Sequence, residues 1–443
     1  MHVVFDHEPT PLIQRVLALS GAGPSCRQTV ADIVSSGPQD AVVEFMNTQV
    51  ATATLEPSFG CRMLRDLTAP VPPPSRPSRD YLRYWVLRLR PTTTEAQIVQ
   101  LAETLNQRAG VEKSVPVPTS RPPDGPVPDP FVGDDATCAR TVDHLVGTQW
   151  YLHQIGALTA SSGLWPASGT TPVVAIVDFG FLTTHQELKG LQMEMAYNAC
   201  DGSGNVGDPN PDRYHGTGVA ALLGASADGV AMQGVAPGIE TWPILGSCSN
   251  TVDGISWAMA IEHVRAMDIG ERRKIVLLEV QTGAQESYES DPAVSKAIVE
   301  ARDDDVVVVM AAGNGKLDAG LTVGGADFDA TGAIVVGATA YGAPDHAASF
   351  SNFGDRVLVW APGDPTYDLT ASDESDNAYT MALGYTSGAA PKVAGVVALM
   401  LTKNPTLSEG AVREILAQAG RDVVDQKGNQ LDAVDALERT PPP

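Results

Sequence analysis

The chain has 443 residues, 43% of them hydrophobic, and a formal net charge of −24 at pH 7. That is ample apolar material for a large core and a smaller second unit, while the acidity speaks against nucleic acid or an anionic membrane as partner, since both call for a basic surface. Apolar runs such as VAGVVALML and VVVVMAAG are too short to cross a bilayer, so no membrane span is expected.

The first 79 residues form an N-terminal extension with no clear assignment; LIQRVLAL carries weak helical patterning, and MHVVFDHEPTPLIQRVLAL lacks the basic start and continuous apolar stretch of a secretory signal. PVPPPSRPS and, further on, PVPTSRPPDGPVPDP read as extended linkers. Between them, residues 80–118 read as a β-α-β unit. YLRYWVLRLRP alternates as a strand does and stops at Pro91. TTTEAQIVQLAETLNQRAG places Ile98, Leu101, Ala102 and Leu105 at helical spacing between a Thr cap and Gly110, and VEKSVPVP is a second strand. Such a piece is too small to hold much core alone and must pack on something else. A Pro-rich linker spans 119–148.

From Gln149 the pattern changes. PVVAIVD, ETWPIL, RKIVLLEV, VVVVMAAGN, AIVVGAT and VLVWAPG are β-branched apolar runs. They alternate with helical segments in GTGVAALLGAS, DGISWAMAIEHVRAM, DPAVSKAIVEARDD and GYTSGAAPKVAGVVALML. This predicts an α/β fold, a doubly wound and mainly parallel sheet with helices on both faces. Five cysteines, Cys26, Cys61, Cys138, Cys200 and Cys248, show no CxxC spacing, which speaks against zinc. Their odd number leaves at least one thiol unpaired, and Cys200 with Cys248 is a candidate disulfide.

In an open parallel sheet, sites form at the carboxyl ends of the strands. Asp178 ends PVVAIVD, Asn314 ends VVVVMAAGN, His215 precedes an apolar helix, and Ser387 starts the last long one. Each has an ordinary reading as a cap, turn or loop residue. Together they are the set acyl transfer needs: a hydroxyl to attack, an imidazole to take its proton, a carboxylate to hold the imidazole's tautomer, and a donor for the oxyanion. Two look-alikes fail: DFG at 178–180 lacks the other kinase motifs, and HGTG lacks a G-x-S-x-G elbow.

Five segments in order, VVAIVDFGFLTTHQEL, HGTGVAALLGASADGVAMQGVAPG, VVVMAAGN, ASFSNFGDRVLVWAPG and GYTSGAAPKVAG, resemble the subtilisin-like serine proteases, and the order Asp, His, Ser is that of subtilisin. The resemblance implies a catalytic domain at 149–440 that hydrolyses protein or peptide substrates. Asp178 would orient the imidazole, His215 serve as base then acid, Ser387 as nucleophile, and Asn314 as oxyanion donor beside the Ser387 N–H. The resemblance also implies a substrate-strand wall at Leu278, Glu279, Val280, Gln281, Thr282 and Gly283 and near 247–251. It implies further a pocket touching Gly324 and Thr386, where Asp327 or Asp329 would favour a basic residue or simply be solvated loop acids. Glu187 and Asp228 would be calcium ligands, with DPNPD at 208–212 a lesser cation candidate; no cofactor is required for the chemistry. The 80–118 unit resembles part of a prodomain, so the chain's own N-terminal region would act as an intramolecular inhibitor, cut off near 119–148. The family is mostly extracellular, yet no signal is visible, so the compartment stays open. Phe179, Gly218, Gly388 and the LEVQTG wall depart from the family pattern. Phe179 and Gly218 are expected to reshape the leaving-group side, and the departures leave a second reading, a non-catalytic binding protein whose cleft is filled by its N-terminal region.

Overall fold

The computed structural model describes residues 2–5, 10–20, 28–35, 41–50, 52–57, 84–88, 95–108, 111–115, 149–161, 171–207, 213–228, 231–248, 254–322, 325–340, 343–364, 370–372, 375–380, 383–424 and 426–443. The chain divides into two units, Met1–Pro118 and Thr119–Pro443.

The first unit is an antiparallel sheet with helices. Its strands are β1 (His2–Phe5), β2 (Gln28–Thr29), β3 (Thr54–Pro57), β4 (Tyr84–Arg88) and β5 (Val111–Val115), in the order β2-β3-β4-β1-β5. Four helices, α1 (Thr10–Ser20), α2 (Val30–Ser35), α3 (Ala41–Val50) and α4 (Glu95–Asn106), supply Val16, Ile33, Val43, Met46 and Leu105 to its core. The expected boundary between 79 and 80 is not a boundary. β1 pairs with both β4 and β5, so the strands of the β-α-β segment are joined through the chain's first residues. This answers the shortage of core: the segment's strands pair with β1 and β3, drawn from the residues before it. Both proposed Pro-rich linkers lie outside the described residues.

The second unit carries the large sheet. Its strands are β6 (Val173–Asp178), β7 (Tyr197–Asn198), β8 (Thr241–Leu245), β9 (Lys274–Leu278), β10 (Val307–Ala311), β11 (Ile334–Ala340), β12 (Ala343–Ala347), β13 (Val357–Pro362), the small β14 (Thr370–Ala371) and β15 (Tyr379–Thr380) pair, β16 (Arg421–Asp422) and β17 (Asn429–Gln430). The order is β16-β17-β13-β11-β10-β9-β6-β8-β7, with β12 on β11. From β7 to β17 the ladder is parallel; β12 and β16 join antiparallel. The helices are α5 (Trp150–Gln154), α6 (Ala157–Ser161), α7 (Arg213–Gly224), α8 (Gly254–Ala266), α9 (Pro292–Asp303), α10 (Tyr385–Lys403), α11 (Glu409–Gln418) and α12 (Ala433–Arg439).

The uninterrupted Val/Ile runs follow from coverage on both faces. Alternate residues Val174, Ile176, Ile275, Leu277, Val309 and Val336 join one core cluster with Val219, Leu222, Val393 and Val397 of α7 and α10. The intervening residues meet α8 and α9 on the other face. Successive strands add on both sides of β6, so the crevice beyond the carboxyl ends of β6 and its neighbours is where such a fold places a site.

Leu277 is wholly buried in this cluster. Leu277→Ala is expected to lower unfolding stability by about 2–5 kcal/mol, read as a lowered urea midpoint with an unchanged denaturant slope.

Candidate active site

Asp178 is the last residue of β6, where the chain leaves the sheet. Its Oδ1 accepts the Phe179 N–H at 2.5 Å and faces His215 Nδ1 at 2.7 Å. His215 stands in the first turn of α7. The helix start lies directly on the β6 exit loop: a Cβ at Gly216 would sit 2.4 Å from the Gly180 carbonyl and 2.8 Å from the Phe181 ring. This is why glycine follows the histidine. On its other edge, His215 Nε2 lies 3.0 Å from Ser387 Oγ. Asp178, His215 and Ser387 are all without solvent exposure. With a carboxylate accepting at Nδ1, the proton sits there, and Nε2 is left to accept the Ser387 hydroxyl.

Ser387 does not cap its helix. The cap position is Gly384, which offers no side chain, and Ser387 is the third helical residue. Tyr385, at φ 58, turns the chain sharply into α10, a conformation that costs of order 1–3 kcal/mol and persists only where its surroundings enforce it. The Ser387 N–H is among the first-turn donors that helix geometry leaves without intrahelical partners, at the positive end of the helix.

Asn314 follows β10. Its Oδ1 accepts both the Thr386 N–H at 3.1 Å and the Thr386 hydroxyl at 2.9 Å, and its own N–H donates to Gln281 Oε1 at 2.8 Å. Among the described residues its Nδ2, though buried, has no hydrogen-bond partner. The loop that carries it is clamped by Asn352. That side chain accepts from the N–H groups of Gly315 and Leu317 at 2.9 Å and donates to the carbonyls of Ala312 at 2.8 Å and Gln285 at 2.6 Å. Gly313, at φ +97, has Asn352 Nδ2 2.6 Å from where a Cβ would lie. Asn352 and the anchoring use of Gln281 were not read from the sequence; the sole signal was ASFSNFG as a motif.

Two departures turn out to be packing. Phe179 is 2% exposed and sits edge-on to the His215 ring at 5.9 Å and against Trp257 at 5.2 Å, so it braces the imidazole from the core. A Cβ at Gly218 would lie 2.9 Å from Leu383 Cδ2 and 3.0 Å from Thr370 Cγ2. The room a larger side chain would need is filled by the β14 segment.

Of the other expected residues, Leu278, Glu279, Val280, Gln281 and Thr282 are buried and Gly283 is half-buried. Instead of an open strand, 281–287 folds back on itself, with Gln281 bridged to Ser287 and Thr282 bonded to Glu286. Thr386 is buried against Asn314. Asp327 and Asp329 are exposed loop acids. Gly324, residues 208–212 and 249–251 lie outside the described residues. Cys200 and Cys248 form a disulfide, tying the end of β7 to the loop after β8.

Glu187 and Asp228, the expected calcium ligands, each have a protein partner. Glu187 accepts the Tyr379 hydroxyl, and Asp228 holds the Lys189 ammonium at 2.5 Å. Among the described residues no group of three or more acidic, His or Cys side chains could hold a metal ion.

A subtilase-family profile matches residues 169–433, more than half of the chain. The chain belongs to the subtilase family. It is 32% identical over 272 residues to an extracellular serine proteinase of Thermus sp. (strain Rt41A), a match covering 60% of this chain and 59% of that protein. It is 32% identical over 271 residues to subtilisin DY of Bacillus licheniformis, covering 58% of this chain and 86% of that one. The solved structure of fervidolysin from Fervidobacterium pennivorans shares the fold, with a TM-score of 0.57 at 24% identity over 82% of this chain and 57% of that one.

Burial pushes the Glu187 carboxyl up to about 7, with Asp228 adding to the effect and the Tyr379 hydrogen bond opposing it. The folded chain therefore keeps a proton that the unfolded chain loses from about pH 4.5 upward. Stability from this group is complete below that value and declines until the folded carboxyl has ionised. Glu187→Gln is expected to flatten the dependence of the thermal midpoint on pH between 4.5 and 7.5, relative to the parent.

Proposed function

We propose that the chain is a serine endopeptidase, acting on protein or peptide substrates through Asp178, His215 and Ser387. The observation that carries this reading is the unbroken run from the Asp178 carboxylate through His215 to the Ser387 hydroxyl, at 2.7 and 3.0 Å. Ser387 Oγ attacks the scissile carbonyl while His215 Nε2 takes its proton. The Asp178 charge stabilises the resulting imidazolium, and His215 returns the proton to the leaving amine. The oxyanion is met by Asn314 Nδ2 and the Ser387 N–H. Asn314 suits that part because its carbonyl oxygen is doubly engaged and its amide nitrogen is uncommitted, so the donor is aimed before substrate arrives. The chain's N-terminal unit, Met1–Pro118, serves as an intramolecular inhibitor, and the precursor matures by cleavage near 119–148. This rests on the resemblance of 80–118 to a prodomain and on a Pro-rich stretch following it. With Phe179 and Gly218 accounted for by packing, the non-catalytic reading keeps only the altered wall at 278–283, where 281–287 folds back on itself.

A fluorophosphonate probe is expected to label Ser387 in wild type and not in Ser387→Ala. Absence of labelling from a folded wild type, even after removal of residues 1–135, would overturn the reading. Turnover should fall about 10⁶-fold in Ser387→Ala and about 10²–10³-fold in Asn314→Ala, the sizes known for subtilisin. Intact-mass analysis should find wild type shortened from its N-terminus and Ser387→Ala at full length; equal masses would refute self-processing.

A further inference from the structure

Glu279 follows the last residue of β9 and has no solvent exposure. Its place relative to Asp178 follows from register. β6 and β9 run parallel with Val174 opposite Ile275, Ile176 opposite Leu277 and Val177 opposite Leu278, and the ladder continues as Glu279 N–H donates to the Val177 carbonyl at 3.1 Å. Residues two apart share a face of a strand. Val174, Ile176, Ile275 and Leu277 all belong to the cluster beneath α7 and α10. The next residues on that face are Asp178 and Glu279. Two carboxyl groups thus leave adjacent strand ends, about 4.8 Å apart, on the side where α7 brings His215 and α10 brings Ser387.

Two carboxylates that close, out of water, do not both ionise. Asp178 receives hydrogen bonds from His215 and from the Phe179 N–H, which favour its charge, so the proton falls to Glu279. At the same level the flanking strands bring Leu245 on β8 and Ala311 on β10, both apolar, and among the described residues the buried titratable groups of α7 and α10 are His215 and Lys392. The Lys392 ammonium is committed to the Pro362 carbonyl at 2.8 Å and lies 4.3 Å above the Tyr151 ring. We propose that Glu279 is a positioning residue, a proton-bearing carboxyl that donates a hydrogen bond to Asp178 and tempers the charge behind the imidazole. The idea rests on the protease reading of the same site.

The sign of the effect is fixed by charge. While Glu279 is neutral, Asp178 stabilises the imidazolium only moderately and His215 remains available as a base. When alkaline pH strips the Glu279 proton, a second negative charge stands behind the imidazole. At that pH His215 is itself unprotonated, so the added charge makes it a stronger base and favours the imidazolium formed in attack, and attack quickens. Glu279→Gln keeps a donor and cannot ionise; Glu279→Leu removes the donor.

The rate of fluorophosphonate labelling of Ser387 in the mature protein produced from the full chain, followed from neutral to strongly alkaline pH, tests this. The Gln variant should label within about threefold of wild type at pH 7 and lack the alkaline rise that Glu279 ionisation gives wild type, while the Leu variant should be about tenfold or more slower at pH 7. Superimposable profiles for wild type and the Gln variant would overturn the proposal. A second readout needs no activity. The difference between the infrared spectra of Ser387→Ala and Ser387→Ala/Glu279→Gln at pH 7 should contain a protonated-carboxyl band, Glu187 being common to both, and absence of that difference band would also overturn the proposal. Should the Gln variant not fold, Glu279→Asp takes its place, displacing the band rather than removing it. If wild type fails to label yet the band is present, the protease reading falls and the protonated Glu279 stands.

Discussion

The imidazole of His215 is held at two edges by groups that are far apart in the chain, and the second unit is arranged so that this can happen. Asp178 comes with the end of a central strand, His215 with the first turn of a helix above it, and Ser387 with the first turn of another. None of the three positions is adjustable alone. The strand is locked by parallel partners on both sides, and the helices are locked by the apolar cluster between them and the sheet. A side chain with two hydrogen-bonding edges can satisfy both only if these three elements agree to within a few tenths of an ångström, which close packing permits and a fluid core would not.

Placing the set out of water has a cost that the local chemistry offsets. A buried carboxylate is expensive unless it is hydrogen-bonded. Asp178 receives two such bonds, and the Ser387 hydroxyl and the imidazole satisfy each other. Phe179 brings an aromatic edge to the ring and excludes water from behind it. Small residues finish the fit: Gly216 lets α7 rest on the β6 exit loop, and Gly218 makes room for Leu383 and Thr370.

Much of this was legible because it rests on period and punctuation. Val/Ile runs announce strands covered on both faces, and the residues ending them lie where such a sheet builds sites, so Asp178, His215, Asn314 and Ser387 could be named together. What escaped reading depends on contacts across long separations. Phe179 looked like a residue facing the cleft because its neighbour does, yet alternation turns it toward Trp257. Gln281 looked like part of a substrate wall, but its oxygen anchors Asn314. Asn352 does its work 35 to 67 positions away from the backbone groups it clamps. Residues 2–5 gave no hint of their place in the middle of the first unit's sheet, since pairing in an antiparallel sheet is set by partners and not by the strand's own sequence.

Asn314 shows what the remaining polar network is for. A buried primary amide has more hydrogen-bonding capacity than a protein can easily satisfy. Here the acceptor half is used twice by Thr386, and Gln281 and Asn352 fix the backbone. Nδ2 is the half left without a partner among the described residues. Leaving a buried donor unmade costs about 1–3 kcal/mol, and a core under selection for stability alone would have closed it. In the proposed mechanism that donor gains its bond only when negative charge develops beside it, so the cost would fall on the resting protein and the return on the transition state. The proposed role of Glu279 follows the opposite logic, since a second carboxyl beside Asp178 would be tolerable only while it holds its proton. On that reading these residues set which groups in the crevice are charged and which wait for charge to form.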